Sequence, residues 1–231
     1  MLADMAHCAA TFQPLLQIEP DGSRQSLVGQ KAVRSGKLLI AFNHSTTLTT
    51  PAWWTAIALG GALDQIGLNQ PEPRWVITSV LNYLGWLAPI SQVALRQVAV
   101  MYNAFLMPSM PPVPQDTRAR AATVCQVLGY LRADSNAHVC LAPQGTDGND
   151  GKLTRPPSGA GRFMLQLVRA GAAILPAGVC ENQDAWRVCF GDVLALTTPP
   201  ALPPNARDEW ATLRVMGAIA ELLPSHLRGP F

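Results

Sequence analysis

The sequence predicts an α/β fold, with a mixed, largely parallel central sheet flanked by helices. Through the middle of the chain, short apolar runs alternate with segments of helical periodicity, the order that builds strand–helix–strand units. Most of those runs give way to Gly, Pro, Asn or Ser, as strands do where they end in turns. The 231 residues, 48% of them hydrophobic, suffice for a large core without disulfide staples, in one domain or at most one and a half.

Residues 1–36 read as an N-terminal extension with weak strand character, closing at Ser35-Gly36. Lys37 to Phe42 is a short buried strand. Pro51 to Ala62 is a helix: proline suits its first turn, and Trp54, Ile57 and Ala58 share one face. Trp75 to Val80 reads as a second strand, Tyr83 to Pro89 as a Gly/Pro-containing connection and Val98 to Tyr102 as a third strand. Pro108, Pro111, Pro112 and Pro114 mark an irregular loop. Asp116 or Thr117 is placed to cap a helix to about Leu131. Ala137 to Ala142 is then a strand, 144–158 a Gly-rich loop, and Gly161 to Ala170 a helix stopped by Gly171. Ala173 to Val179 and Arg187 to Phe190 are two more strands. Pro199, Pro200, Pro203 and Pro204 stiffen a connector to a last helix over about Arg207 to Leu223. The expected organisation is an extension over 1–36, an α/β domain over 37–198, and a connector with a C-terminal helix packing on that domain over 199–231.

Only 14% of residues are charged and the net charge is +2, well below the usual quarter. No basic run and no repeated basic–aromatic pattern points to nucleic acid. Six tryptophans in a chain of low charge suit an apolar ligand, a membrane surface or an oligomer interface as well as an ordinary core. Cys8, Cys125, Cys140, Cys180 and Cys189 form no CxxC pair and no metal-ligand spacing. Neither a metal nor a resident cofactor is expected, and the odd count without a framework fits a reducing compartment. Cys140, Cys180 and Cys189 lie in apolar runs and read as small buried residues. Met1 to Pro20 has no basic segment followed by an apolar one, so no signal peptide is expected. No apolar stretch reaches the length of a membrane-spanning helix.

Two loops carry most of the chemistry. In the first, the strand ending at Phe42 runs into Asn43-His44 ahead of Ser45, Thr46, Thr47, Thr49, Thr50 and Pro51. A strand-to-helix loop can present an imidazole to a cleft, where it takes a proton from a hydroxyl. Taken alone, one histidine in a polar loop is as well explained as a structural residue bonded to backbone. In the second, the strand to Ala142 runs into Pro143-Gln144-Gly145-Thr146, a turn whose backbone N–H groups can bind an anion or orient a polar head group. The same pattern suits a plain strand-exit turn. Arg155 and Arg162 follow and can supply positive charge for a phosphate. In α/β sheets, ligands bind at the carboxyl ends of strands, so one cleft is expected to hold His44 with Gln144, Gly145 and Thr146.

These blocks, in this order, resemble the glycerolipid acyltransferase family, which includes the lysophosphatidic acid acyltransferases. The family's first block reads Asn-His, four variable residues, Asp, one residue and Pro; here Asn43, His44, Thr49 and Pro51 stand at those places. Its third block, Phe-Pro-Glu-Gly-Thr, appears as Ala142-Pro143-Gln144-Gly145-Thr146, with Asp147 where an Arg usually follows. Gly151-Lys152-Leu153, Gly159-Ala160 and Ala170-Gly171 continue the pattern, and the fourth block matches Ile174-Leu175-Pro176-Ala177-Gly178-Val179. Val188-Cys189-Phe190-Gly191-Asp192 completes a resemblance over roughly residues 37–193.

What the resemblance implies is acyl transfer from a thioester, acyl-CoA or acyl carrier protein, to a hydroxyl of a lipid-like or other small acceptor. His44 is then the general base, oriented by Thr49 or by a carboxylate from elsewhere such as Asp147 or Asp150, while Asn43, Gln144, Gly145, Thr146 and Arg155 bind substrate. The departures bear on mechanism. Thr49 replaces the aspartate that polarises the histidine, a loss that by analogy with triads costs on the order of ten-thousandfold. Gln144 replaces a glutamate, keeping size and losing charge. The second-block arginine falls near Val98 to Tyr102, with Arg96 just before it, while Arg118 and Arg120 belong to the next helix. The alternative is a weak or inactive family member that binds lipid, acyl carrier or a protein partner. A hydrolase is disfavoured because the sequence has no Gly-x-Ser-x-Gly elbow. Low charge, the Trp53-Trp54 pair and the family's lipid substrates together suggest a cytoplasmic protein in peripheral contact with the membrane inner face.

Overall fold

Leu38–Phe42 (β2) is apolar and buried at every position because it lies mid-sheet with cover on both faces. Its side chains alternate: Leu38, Ile40 and Phe42 enter one core, Leu39 and Ala41 the other. The computed structural model describes residues 16–19, 36–44, 53–68, 70–146, 151–182, 185–197 and 202–231. Around β2 are ranged β1 (Leu16–Glu19), β3 (Arg74–Thr78), β4 (Phe105–Met107), β5 (His138–Leu141), β6 (Ala173–Asn182) and β7 (Ala185–Phe190). They form a seven-stranded sheet in the order β1-β7-β6-β2-β5-β3-β4. Every neighbouring pair is parallel except β6 with β7. The expected α/β architecture with a mixed, largely parallel sheet is therefore what the chain adopts.

Helix α1 (Trp53–Gln65) covers one face, burying Ala58, Leu59, Ala62 and Leu63 against Leu38, Ile40 and Leu175. Helices α3 (Thr117–Ala133), α4 (Ala160–Arg169) and α5 (Pro204–Glu221) cover the other, where Val127, Leu131, Met164, Leu167, Val215 and Ile219 meet Leu39, Val139 and Ile174. Asp208 of α5 caps α4: its carboxylate accepts from the N–H groups of Gly159 and Arg162, each at 2.7 Å. Gly161 sits in this crossing, where a Cβ would come within 2.0 Å of the Asp208 carbonyl oxygen. Cys140, Cys180 and Cys189 are buried as expected, whereas Cys125 is exposed.

Three local expectations are corrected. Val98 to Tyr102 is not a strand. It ends helix α2 (Ala88–Met101), which starts with Pro89 in its first turn. Ser91 and Ala99, about two turns apart, face inward, so the helical period overrides the strand preference of the valines. The strand expected there lies just beyond, at Phe105–Met107. The connection before α2 is ordered as a 3-10 turn over Asn82–Leu87, bent where Gly85 takes φ +56°. Neither Asp116 nor Thr117 makes a side-chain cap; α3 is entered through a 3-10 turn over Pro114–Asp116. At the other end of the sheet, part of the extension joins the fold, since β1 pairs with β7 as an edge strand.

Candidate functional site

The parallel register brings the two informative loops together. β2 and β5 run in step from Leu38↔His138 to Ala41↔Leu141, so both chains leave the sheet at the same level. The His44 backbone N–H donates to Gln144 Oε1 at 3.1 Å, and Gln144 Nε2 donates to Thr154 Oγ1 at 3.2 Å. On the other side β2 runs in step with β6, from Leu38↔Ala173 to Phe42↔Ala177. There Asn43 Nδ2 donates to the Val179 carbonyl at 2.8 Å, and Asn43 Oδ1 accepts from the Val179 N–H at 2.7 Å.

Two residues expected to bind substrate are tied into the fold by these contacts. Asn43 and Gln144 are buried, and their amides bond to Val179, His44 and Thr154. Together they tie the chain at Asn43-His44 to β6 and to the turn after β5. Asn43 behaves like one more backbone unit of the ladder, pairing donor and acceptor with a strand 136 positions away. A buried amide left without partners would cost about 1–3 kcal/mol per group, so the pairing fixes where β2 ends and His44 begins. The sequence contains the asparagine and the glutamine but not the direction in which either points.

The turn after β5 is built for presentation. The Gly145 N–H donates to the Ala142 carbonyl at 3.1 Å, closing a β-turn with Pro143 as its first central residue, where its fixed φ is favoured. Gly145 takes φ +68°, which suits glycine. A Cβ there would come within 3.1 Å of Met110 Cγ, so the proline-rich loop after β4 packs on this turn. Gly145 and Thr146 are exposed, and His44 is half-buried. An exposed glycine turn beside a histidine at strand ends can seat a polar group and exchange a proton with it.

Thr49 lies outside the described residues, as do Asp147 and Asp150. Arg155 is exposed and lies 3.7 Å from Glu209 of α5, a surface pair that restrains it weakly. Arg96 projects from the exposed face of α2. Arg120 lies on α3, as expected, and donates to the Ser109 carbonyl in the loop that covers Gly145. Among the described residues, no three His, Cys, Asp or Glu side chains group as metal ligands would.

A concavity lies at the amino-terminal ends of β3 and β4, opposite the loops above. It measures about 510 Å³ and is lined by Arg74, Asn103, Phe105, Gln126 and Tyr130 among others. The Arg74 guanidinium lies 4.5 Å from the Tyr130 ring centre and 5.3 Å from that of Phe105, within cation–π range. Nothing in the sequence pattern singled it out. No protein-family model matches the chain, and no curated protein is detectably similar to it.

Proposed function

We propose that this chain is an acyltransferase of the glycerolipid type. It moves an acyl group from a thioester, carried on coenzyme A or an acyl carrier protein, to a hydroxyl of a lipid-like or other small acceptor. The His44 imidazole takes the proton of the acceptor hydroxyl as its oxygen attacks the thioester carbonyl carbon. The carbon–sulfur bond then breaks, and the imidazolium returns the proton to the departing thiolate. The exposed turn at Gly145 and Thr146 binds the polar part of the substrate. Asn43 and Gln144 act as positioning residues. Thr49 is assigned to orient the ring, and Arg155 to meet the anionic part of donor or acceptor. The site faces a membrane's inner surface from the cytoplasm.

The observation that carries this reading is the hydrogen bond between His44 and Gln144, which joins residues 100 positions apart at the ends of adjacent strands. It couples the two blocks of the resemblance that would do the chemistry. Acyl transfer and thioester hydrolysis, measured across acyl-CoA chain lengths, test it. His44→Ala should lower turnover by about 10²–10⁴-fold, and equal rates for the two proteins would remove the reading.

The second reading, binding without turnover, draws on Gln144 and Thr49, where two charged residues of the resembled pattern are neutral. Retained binding of an acyl chain or acyl carrier with no turnover would favour it. Gln144→Glu can keep both contacts, since a carboxylate accepts from the His44 N–H and the Thr154 hydroxyl can donate as well as accept. Combined with Thr49→Asp, it should raise turnover; an unchanged rate would show that the cleft has diverged.

A further inference from the structure

We propose that the face made by the 3-10 turn Asn82–Leu87 and helix α2 is a docking surface for an anionic lipid bilayer. It is an apolar surface held in water. Trp86 is 84% exposed, Ile90 63%, Val93 58%, Val100 78% and Met101 71%. Positions 86, 90, 93, 97 and 100–101 follow the 3.6-residue period, so these side chains form one stripe broken only by Gln97. The opposite side of the helix, at Ser91 and Ala99, is buried. Contiguous exposed apolar surface of this kind marks an interaction site.

Charge selects the occupant. From Trp75 to Gln115 the only charged residue is Arg96, so the face carries no carboxylate to repel lipid phosphates and one cation to attract them. A second copy of the chain fits less well. Two α2 helices packed antiparallel about a two-fold axis near residues 93–97 would bring their Arg96 side chains together with no acidic partner from either stripe. An indole at one end of an apolar stripe suits the bilayer interface, where its ring is buried and its N–H stays wet.

The face is preformed and adjoins the candidate site. Ser91 Oγ accepts from the Leu81 N–H at 3.0 Å and donates to the Ala88 carbonyl at 2.7 Å, fixing the turn to the helix. Asn82 Nδ2 donates to Ser109 Oγ at 2.7 Å, tying the turn to the loop whose Met110 packs on Gly145. The start of α2 follows the carboxyl end of β3, so it lies at the same end of the sheet as His44. Docking through this face would bring the Gly145 turn to the lipid surface. The inference names the surface for the membrane contact of the proposed function, but it rests on exposure and charge and its test reads binding without turnover.

Flotation of the full chain with vesicles of phosphatidylcholine, with and without phosphatidylglycerol, tests it. The wild type should float, more strongly with the anionic lipid and less so as salt rises. Ile90→Gln/Val93→Gln/Val100→Gln/Met101→Gln should lower partitioning about tenfold or more while the circular dichroism spectrum and melting midpoint stay unchanged. Arg96→Gln should reduce the preference for the anionic vesicles. Trp86→Phe should remove a lipid-induced blue shift of indole emission. A wild type that stays unbound at low salt would overturn the proposal. So would equal flotation of the quadruple variant, or a wild-type dimer in sedimentation that becomes monomeric in that variant, which would assign the stripe to a second copy.

Discussion

Asn43 and Gln144 are polar side chains held out of water, whereas Trp86, Ile90, Val100 and Met101 are apolar side chains held in it. The two regions invert the ordinary rule in opposite senses, and each inversion carries its own cost. A buried amide requires partners, and the ends of β2, β5 and β6 supply them through Val179, His44 and Thr154. An exposed apolar stripe requires an occupant, and within the described chain α2 packs against the 3-10 turn and β4, which leaves its outer face uncovered. The first inversion is therefore resolved inside the protein and should act on stability. The second is resolved only outside it and should act on binding.

The sharpest way to break that contrast is Asn43→Ala. It leaves the Val179 N–H and carbonyl, both in a buried strand, without their partner. The expected loss is about 2–6 kcal/mol, from two unsatisfied buried groups at about 1–3 kcal/mol each, read by chemical denaturation. Asn43→Asp should cost a similar amount: the acceptor facing the Val179 N–H is kept, but a buried carboxylate oxygen replaces the donor and faces the Val179 carbonyl. A loss below about 0.5 kcal/mol in either variant would show that water reaches this strand end.

Gln144→Ala comes next. It frees the His44 N–H and the Thr154 hydroxyl, which lie nearer the surface, so about 1–2 kcal/mol is expected. The loop carrying His44 would also lose its tie to the Gly145 turn. Activity should therefore fall by more than the fraction unfolded explains, while Gln144→Glu should retain most of it. Equal activity in the wild type and Gln144→Ala would show that the clip does not position the histidine.

How much of this the sequence contained follows from what each residue's neighbours could decide. The pairing of the two loops was legible because parallel strands of similar length end at one level, and the Asn-His and Gln-Gly-Thr blocks each abut such a strand. The inward turn of Asn43 was not, because whether an amide faces a cleft or the next strand depends on register with β6, far along the chain. Val98 to Tyr102 suits a strand as well as a helix, because Val98, Val100 and Tyr102 alternate and five residues satisfy either period; the shared inward face of Ser91 and Ala99, two turns apart, decides for the helix. The exposed stripe was hidden for the same reason. Its apolar residues read as core until the inward face of α2 is known, and in the sequence the Trp53-Trp54 pair is the more conspicuous apolar feature. Trp53 is indeed exposed, while Trp54 is partly buried.

A pH dependence separates a third kind of buried polar group from the amides. His138 begins β5 and is almost wholly buried. Burial is the main cause that lowers its pKa below the usual 6.5, opposed by the carbonyls of Gly36 and Pro71 and by the charge of Asp134. The folded chain thus binds this proton less readily than the unfolded one. Its contribution is fully present above pH 6.5 and is lost as the pH falls from there through the lower folded value. The difference in melting midpoint between wild type and His138→Gln should change in that window and be constant above it. A constant difference down to pH 5 would show that the histidine titrates alike in both states.

The smallest expected effect is the one that most sharpens the contrast. Val100→Gln and Met101→Gln, on the outer face of α2, should move stability by no more than about 0.5 kcal/mol, as surface substitutions do. Glutamine is a good helix former and valine a poorer one, so Val100→Gln should fall on the stabilising side. A neutral or stabilising change that also weakens vesicle binding would mean that the apolar residue is kept at a cost to the free chain, to be recovered only at a surface. A loss of 2 kcal/mol or more from either substitution would instead place that side chain in a packed interior, and α2 would then differ from the strand ends only in degree.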